Sequence, residues 1–202
     1  MARHDFTIRT ADCADIPRLA TLFLESTDGL AAWLLKGAIP GRPTNVIAEH
    51  LFTMFGTAMV FTNWRVAVRD AEVLGGVFGS PVDQQTGGPK NLLVPEDRRV
   101  LAAPFLGQRT PDAFHIMSIC VDAAARGAGI GLALMETADT SAREAGLGLV
   151  SLNVRDDNTG AVSLYRRLGY TETKRAHASV PGVFDGDVIH MVRELPDPPR
   201  PI

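Results

Sequence analysis

Only two cysteines, Cys13 and Cys120, occur in the 202 residues, far apart and with no Cys-x-x-Cys pair. That scarcity excludes a disulfide-stapled scaffold and a zinc ribbon. The five histidines, His4, His50, His115, His177 and His190, have no ligand spacing, so no metal is expected. Charge of one sign is also lacking: 20 Lys+Arg against 23 Asp+Glu leave a net charge of −3. No basic excess argues for nucleic acid or a membrane surface, and no acidic patch calls for a polycationic acceptor. No apolar run reaches about 18 residues, so no transmembrane helix is expected. Met1-Ala2-Arg3-His4-Asp5 lacks the apolar stretch of a signal peptide, and the cytoplasm is the expected setting. Internal repeats are absent, and the one biased segment is a Pro-rich tail over 196–202. What remains is an ordinary globular mix, 46% hydrophobic and 21% charged, long enough for one domain over 4–195 with a substantial core.

The most informative stretch is Arg126-Gly127-Ala128-Gly129-Ile130-Gly131. An apolar strand pattern, Phe114 to Val121, leads into it, and an amphipathic helix pattern, Leu132 to Ala145, leads out. Three glycines in five positions let a ligand approach the backbone. The helix start adds N–H groups without intrahelical partners and partial positive charge, which suits a pyrophosphate. Arg126 can add a guanidinium to the same anion. The dinucleotide fingerprint fails in both registers, because its last position falls on Leu132 or Leu134, and the P-loop Gly-Lys-Ser/Thr is absent.

Elsewhere, Phe6 to Arg9 reads as a short strand. Asp12 to Glu25 reads as a helix with acids at its start and Pro17 near its first turn. Gly29 to Ala58 reads as mostly helical, broken at Pro40-Gly41-Arg42-Pro43. Its apolar residues (Leu30, Trp33, Leu34, Val46, Leu51, Phe55) form either a core face or one wall of a substrate cleft. Trp64 to Val68 and Val73 to Phe78 read as a hairpin, with Gly75-Gly76 marking a bulge or a close backbone approach. Pro81 to Pro111 is a long connection, loop-like over Gln84 to Lys90 and helical over Glu96 to Leu106; it shapes a binding site, makes a dimer contact or is a plain insertion. Leu149 to Val154 is a strand, Asp156-Asp157-Asn158 caps a helix through Leu168, and Tyr170 to Arg175 and Asp187 to Glu194 are closing strands.

Asn158-x-x-Ala161-x-x-x-Tyr165 places three residues on one helix face, with Gly169-Tyr170 following. By itself this reads equally well as a cap, a packing residue and a core tyrosine. Together with Arg-x-x-Gly-x-Gly about thirty residues earlier, the chain resembles the GCN5-related N-acetyltransferase (GNAT) family over roughly 114–170. The resemblance implies an α/β (α+β) fold in which a mixed, mostly antiparallel sheet with splayed central strands is flanked by helices. It implies that acetyl-CoA, the co-substrate, lies in the V-shaped gap: Arg126 to Gly131 on its pyrophosphate, the edge of Ile119, Cys120 and Val121 on its pantetheine arm, Asn158 and Ala161 opposite, and Tyr165 facing the thioester sulfur. The implied reaction is acetyl transfer to an amine of a small molecule or a protein; a non-catalytic acyl-CoA sensor and another acceptor or acyl chain are the alternatives. A homodimer is common in such proteins.

That chemistry needs a donor for the departing thiolate and an acceptor for the amine's proton. Tyr165 is the expected general acid. His115 is the leading candidate base, on the expectation that residues 115, 117, 119 and 121 share one strand face; His190 is a weaker candidate, and a water chain is another route. Asp122 and Cys120 are expected to be structural side chains.

Overall fold

A computed structural model describes residues 5–54, 59–83 and 94–196. The expected loop at Gln84 to Lys90, the end of the Gly29 to Ala58 segment at 55–58, the first four residues and the tail beyond Pro196 lie outside the described residues. A seven-stranded sheet runs in the order β1-β2-β3-β4-β5-β7-β6. Its strands are β1 (Thr7–Thr10), β2 (Trp64–Arg69), β3 (Glu72–Pro81), β4 (Ala113–Val121), β5 (Leu149–Arg155), β6 (Thr171–Val180) and β7 (Phe184–Glu194). Every neighbouring pair is antiparallel except β4 and β5. That exception needs a crossover, which the glycine loop and helix α6 (Ile130–Glu144) supply.

Local chemistry sets the helices. Asp12 and Asp15 form a capping box on a short turn, and α1 (Ile16–Ser26) follows with Pro17 in its first turn, where no intrahelical N–H is lost. The segment expected to break at Pro40–Pro43 does so, between α2 (Leu30–Leu35) and α3 (Thr44–Thr53). Of its apolar residues, Leu51 is core, while Leu30, Trp33 and Leu34 are half-buried and Val46 is exposed. The helix expected over Glu96 to Leu106 is two, α4 (Glu96–Leu101) and α5 (Ala103–Leu106), because Pro104 suits the first turn of a new helix. Helix α7 (Thr159–Arg167) completes the set.

Two cores sandwich the sheet. Leu134, Met135 and Ala138 of α6 and Val162 and Tyr165 of α7 pack on Phe114, Ile116, Leu152, Ile189 and Met191. On the other face, Leu19 and Leu22 of α1 and Ile47 and Phe52 of α3 pack on Trp64, Phe78 and Cys120. Burying a large apolar side chain contributes about 1.5–3 kcal/mol, so these faces fix the sheet between its helices. The Gly75-Gly76 pair marks both features expected of it. The β2–β3 register shifts beside it, at Ala67/Val68. A Cβ on Gly75 would sit 2.6 Å from the Cys120 carbonyl. The closing strands extend well past their expected ends, and the turn shrinks to Pro181, Gly182 and Val183. Polar β6 is an exposed edge strand whose alternation is weak in sequence. Asp185-Gly186 resembles a turn but is paired strand, opposite Ser179 and Ala178.

Candidate active site

The ladder between β4 and β5 has four rungs, Ala113↔Leu149 to Ile116↔Leu152, and then stops. Both strands continue, β4 to Val121 and β5 to Arg155, so an unpaired wedge opens between them. The cause lies in β4. Phe78 pairs with Ser118 and Gly79 with Ile116, leaving Met117 as an extra residue. Such a bulge bends the strand and increases its twist. Asp122 N–H donates to the Leu74 carbonyl at 2.8 Å. By antiparallel alternation, the main chain of Cys120 then faces β3, while that of Ile119 and Val121 faces the wedge. Asp156 N–H donating to Asp187 O at 2.9 Å fixes β5 likewise, turning the main chain of Asn153 and Arg155 toward the wedge.

The glycine loop closes the wide end. Asp122 accepts from Ala124 N–H at 2.7 Å, which caps the turn Ala123–Ala125 and holds its carboxyl below the usual range. Its carboxylate also pairs with Arg18 of α1, which donates to Val73 O at 3.3 Å. Arg126, Gly127 and Ala128 are exposed. Gly129 caps α6 at φ +82 with no side-chain bond to the helix start, leaving the first-turn N–H groups without a capping acceptor. A Cβ on Gly127 would meet nothing within 4 Å, and one on Gly131 only Val121 Cγ2 at 3.9 Å. The main chain is therefore open to a diphosphate, and the residues fit the CoA pyrophosphate.

On the far side, Asn158 caps α7 by accepting from Ala161 N–H at 3.2 Å. Tyr165 is 7% exposed, with its ring 5.8 Å from that of Tyr170, and burial pushes its hydroxyl up to about 12. It stays protonated at neutral pH, as a proton donor must.

The bulge overturns the expected face of His115. Ile119 and Val121 pack toward α6, whereas His115 lies on the opposite face, flanked by core residues Phe114 and Ile116. It is 2% exposed, and its Nδ1 shares a 2.9 Å hydrogen bond with Ser151 Oγ. Burial, with Arg109 and His190 nearby, holds it down to about 2. His190 stacks on it at 6.0 Å and is held to about 4, chiefly by burial. Asn153 Nδ2 donates to Phe105 O (2.8 Å) and Gln108 O (3.2 Å), so its Oδ1 accepts from His190 Nδ1–H at 2.6 Å. His190 Nε2 then accepts from the Thr110 hydroxyl at 2.9 Å. Both imidazoles are neutral and committed to structural bonds. Cys120, pushed up to about 12 by burial, is inert. Sequence reasoning missed Asn153 and Arg155; the polar Asn153 between Leu152 and Val154 was the available signal.

A family model described as Acetyltransferase (GNAT) family matches residues 49–170. The chain belongs to the GNAT acetyltransferase family. It is an acetyl-CoA-dependent N-acyltransferase, with acetyl-CoA as co-substrate. A search of curated proteins returns no significant relative. Solved structures share the fold. An N-acetyltransferase from Staphylococcus aureus Mu50 superposes with TM-score 0.72 at 20% identity, over 93% of this chain and 100% of that one. The yncA protein of Salmonella typhimurium, solved with its cofactor acetyl-CoA, gives 0.59 at 20%, over 98% of each. A Drosophila melanogaster polyamine N-acetyltransferase that forms N-acetylagmatine gives 0.60 at 21%, over 94% and 100%. Among the described residues, no helix is long and apolar enough to cross a membrane, and no group of three His, Cys, Asp or Glu side chains could hold a metal ion.

Proposed function

We propose that this GNAT protein acetylates a primary amine by direct attack, with Tyr165 as general acid. The observation that carries the reading is the wedge that opens beyond Ile116↔Leu152, with the open glycine loop at its wide end. Acetyl-CoA supplies a thioester carbonyl. Arg126 and the main-chain N–H groups over 127–131 bind its diphosphate. Ile119 and Val121, rather than Cys120, offer N–H groups to the pantetheine arm and to the carbonyl oxygen as it gains charge. Asn158 and Ala161 line the opposite side. The C–N bond forms as the C–S bond breaks. Tyr165 gives its proton to the departing sulfur and regains one from solvent, while the amine's proton leaves to water. His115 has no part as base, since a proton acceptor held near 2 is neutral yet too weak to deprotonate an amine.

Tyr165→Phe tests the reading. Turnover falls about 10²-fold, while competition of CoA with a labelled analogue is preserved. Unchanged turnover under chemistry-limited conditions would remove the role.

A further inference from the structure

The segment over 94–112 lies on the sheet face opposite α6 and is tied down on both sides of the wedge. At one end, Arg98 of α4 donates to the carbonyls of Trp33 (2.8 Å), Leu34 (3.3 Å) and Lys36 at the end of α2, with its guanidinium 5.6 Å from the Trp33 ring centre. At the other, Asn153 holds the carbonyls of Phe105 and Gln108, Gln108 Nε2 donates to Val188 O at 3.2 Å, and the Phe105 ring meets Phe184 at 5.6 Å. Asn153 is the first β5 residue past the last rung, so this anchor sits on the wall of the wedge itself.

A second bridge spans the same face. The Asp28 carboxylate at the α1–α2 turn lies 3.8 Å from the guanidinium of Arg155, which stacks 4.5 Å over Phe184. A Cβ on Gly29 would lie 3.9 Å from Val183 Cγ1 in the β6–β7 turn. The approach to the wedge on this face is therefore crossed twice. A peptide lying across it would need a groove that runs clear past the reacting nitrogen, and a folded protein would need an open rim. Two bridges across one face argue against both.

We propose that the acceptor is a small-molecule amine entering between these bridges, and that protein and peptide amines are excluded. This rests on the acetyl-transfer reading above. The test measures CoA release by the full chain with phenethylamine, agmatine and spermidine, and with two decapeptides, one with a free N-terminus and one blocked with a central lysine. At least one small amine is expected to exceed both decapeptides in kcat/KM by about 100-fold or more. Arg98→Ala, which unties the α2 anchor, narrows that ratio about tenfold at unchanged KM for acetyl-CoA; Phe105→Ala, which loosens the other anchor, acts in the same direction. A decapeptide used as well as any small amine overturns the enclosure and leaves acetyl transfer intact. So does a ratio that neither variant moves. CoA binding without release from either class of acceptor also overturns it. Failure of CoA to compete with a labelled analogue would instead remove the functional reading, and this one with it.

Discussion

At the scale of single residues, the stacked histidines tie the site's architecture to pH. His190 is held to about 4 and His115 to about 2, both below the 6.5 of an unfolded histidine. Groups depressed in the folded state contribute stability that is full above about 6.5 and is lost as pH falls toward their folded values. Urea midpoints are therefore expected to decline from about pH 6.5 to 5.5, above the range in which Asp15, Asp157 and Glu172 take up protons in the unfolded chain. His190→Gln should flatten part of that decline; an unaltered slope would show that the network does not set it. The helix that carries Tyr165, and Asn158 as the cap at its start, were legible from their spacing. The role of His115 was not, because one extra residue downstream reversed the parity on which its reading depended.

Among the elements, β4 carries the determining irregularity. The glycine loop, α6 and the capped α7 could be read from sequence, since glycines, caps and a 3.6-residue period act locally. A bulge has no local signature: Met117 is an ordinary strand residue, and its extra place is defined only by its partner strand. Gly79 stands at that register shift, where a Cβ would fall 2.5 Å from Phe114 Cε1 and 2.8 Å from His115 O. Gly79→Ala should cost about 1–3 kcal/mol. It should also weaken CoA binding, because the bulge bends β4 away from β5. Chemical denaturation beside CoA titration checks both, and a loss of stability with unchanged affinity would separate the bulge from the wedge. The break between α4 and α5 was half legible, since Pro104 announced it. Their docking on α2 and β7 was not, because those contacts join residues more than sixty positions apart.

Across the whole molecule, a charged link ties the last strand to the crossover helix. Arg193 of β7 pairs with Asp139 of α6, lies 4.9 Å from the Tyr170 ring centre and donates to Leu168 O at 3.0 Å. Both members of the pair are nearly buried, at 14% and 13% side-chain exposure. Asp139→Ala would strand the guanidinium and should cost about 3 kcal/mol, seen as a lowered urea midpoint. An unshifted midpoint would mean that solvent screens the pair. The four-rung β4–β5 seam has a wider consequence. The sheet is like a book stitched along only the lower part of its spine, and the missing stitches can be supplied by whatever lies between its pages. On the proposed reading, the co-substrate would act as a temporary eighth strand. Its arrival should slow deuterium uptake at the amides of Ile119, Val121, Asn153 and Arg155 together and raise the melting temperature, by an amount equivalent to about 2.7 kcal/mol at a hundredfold excess over Kd.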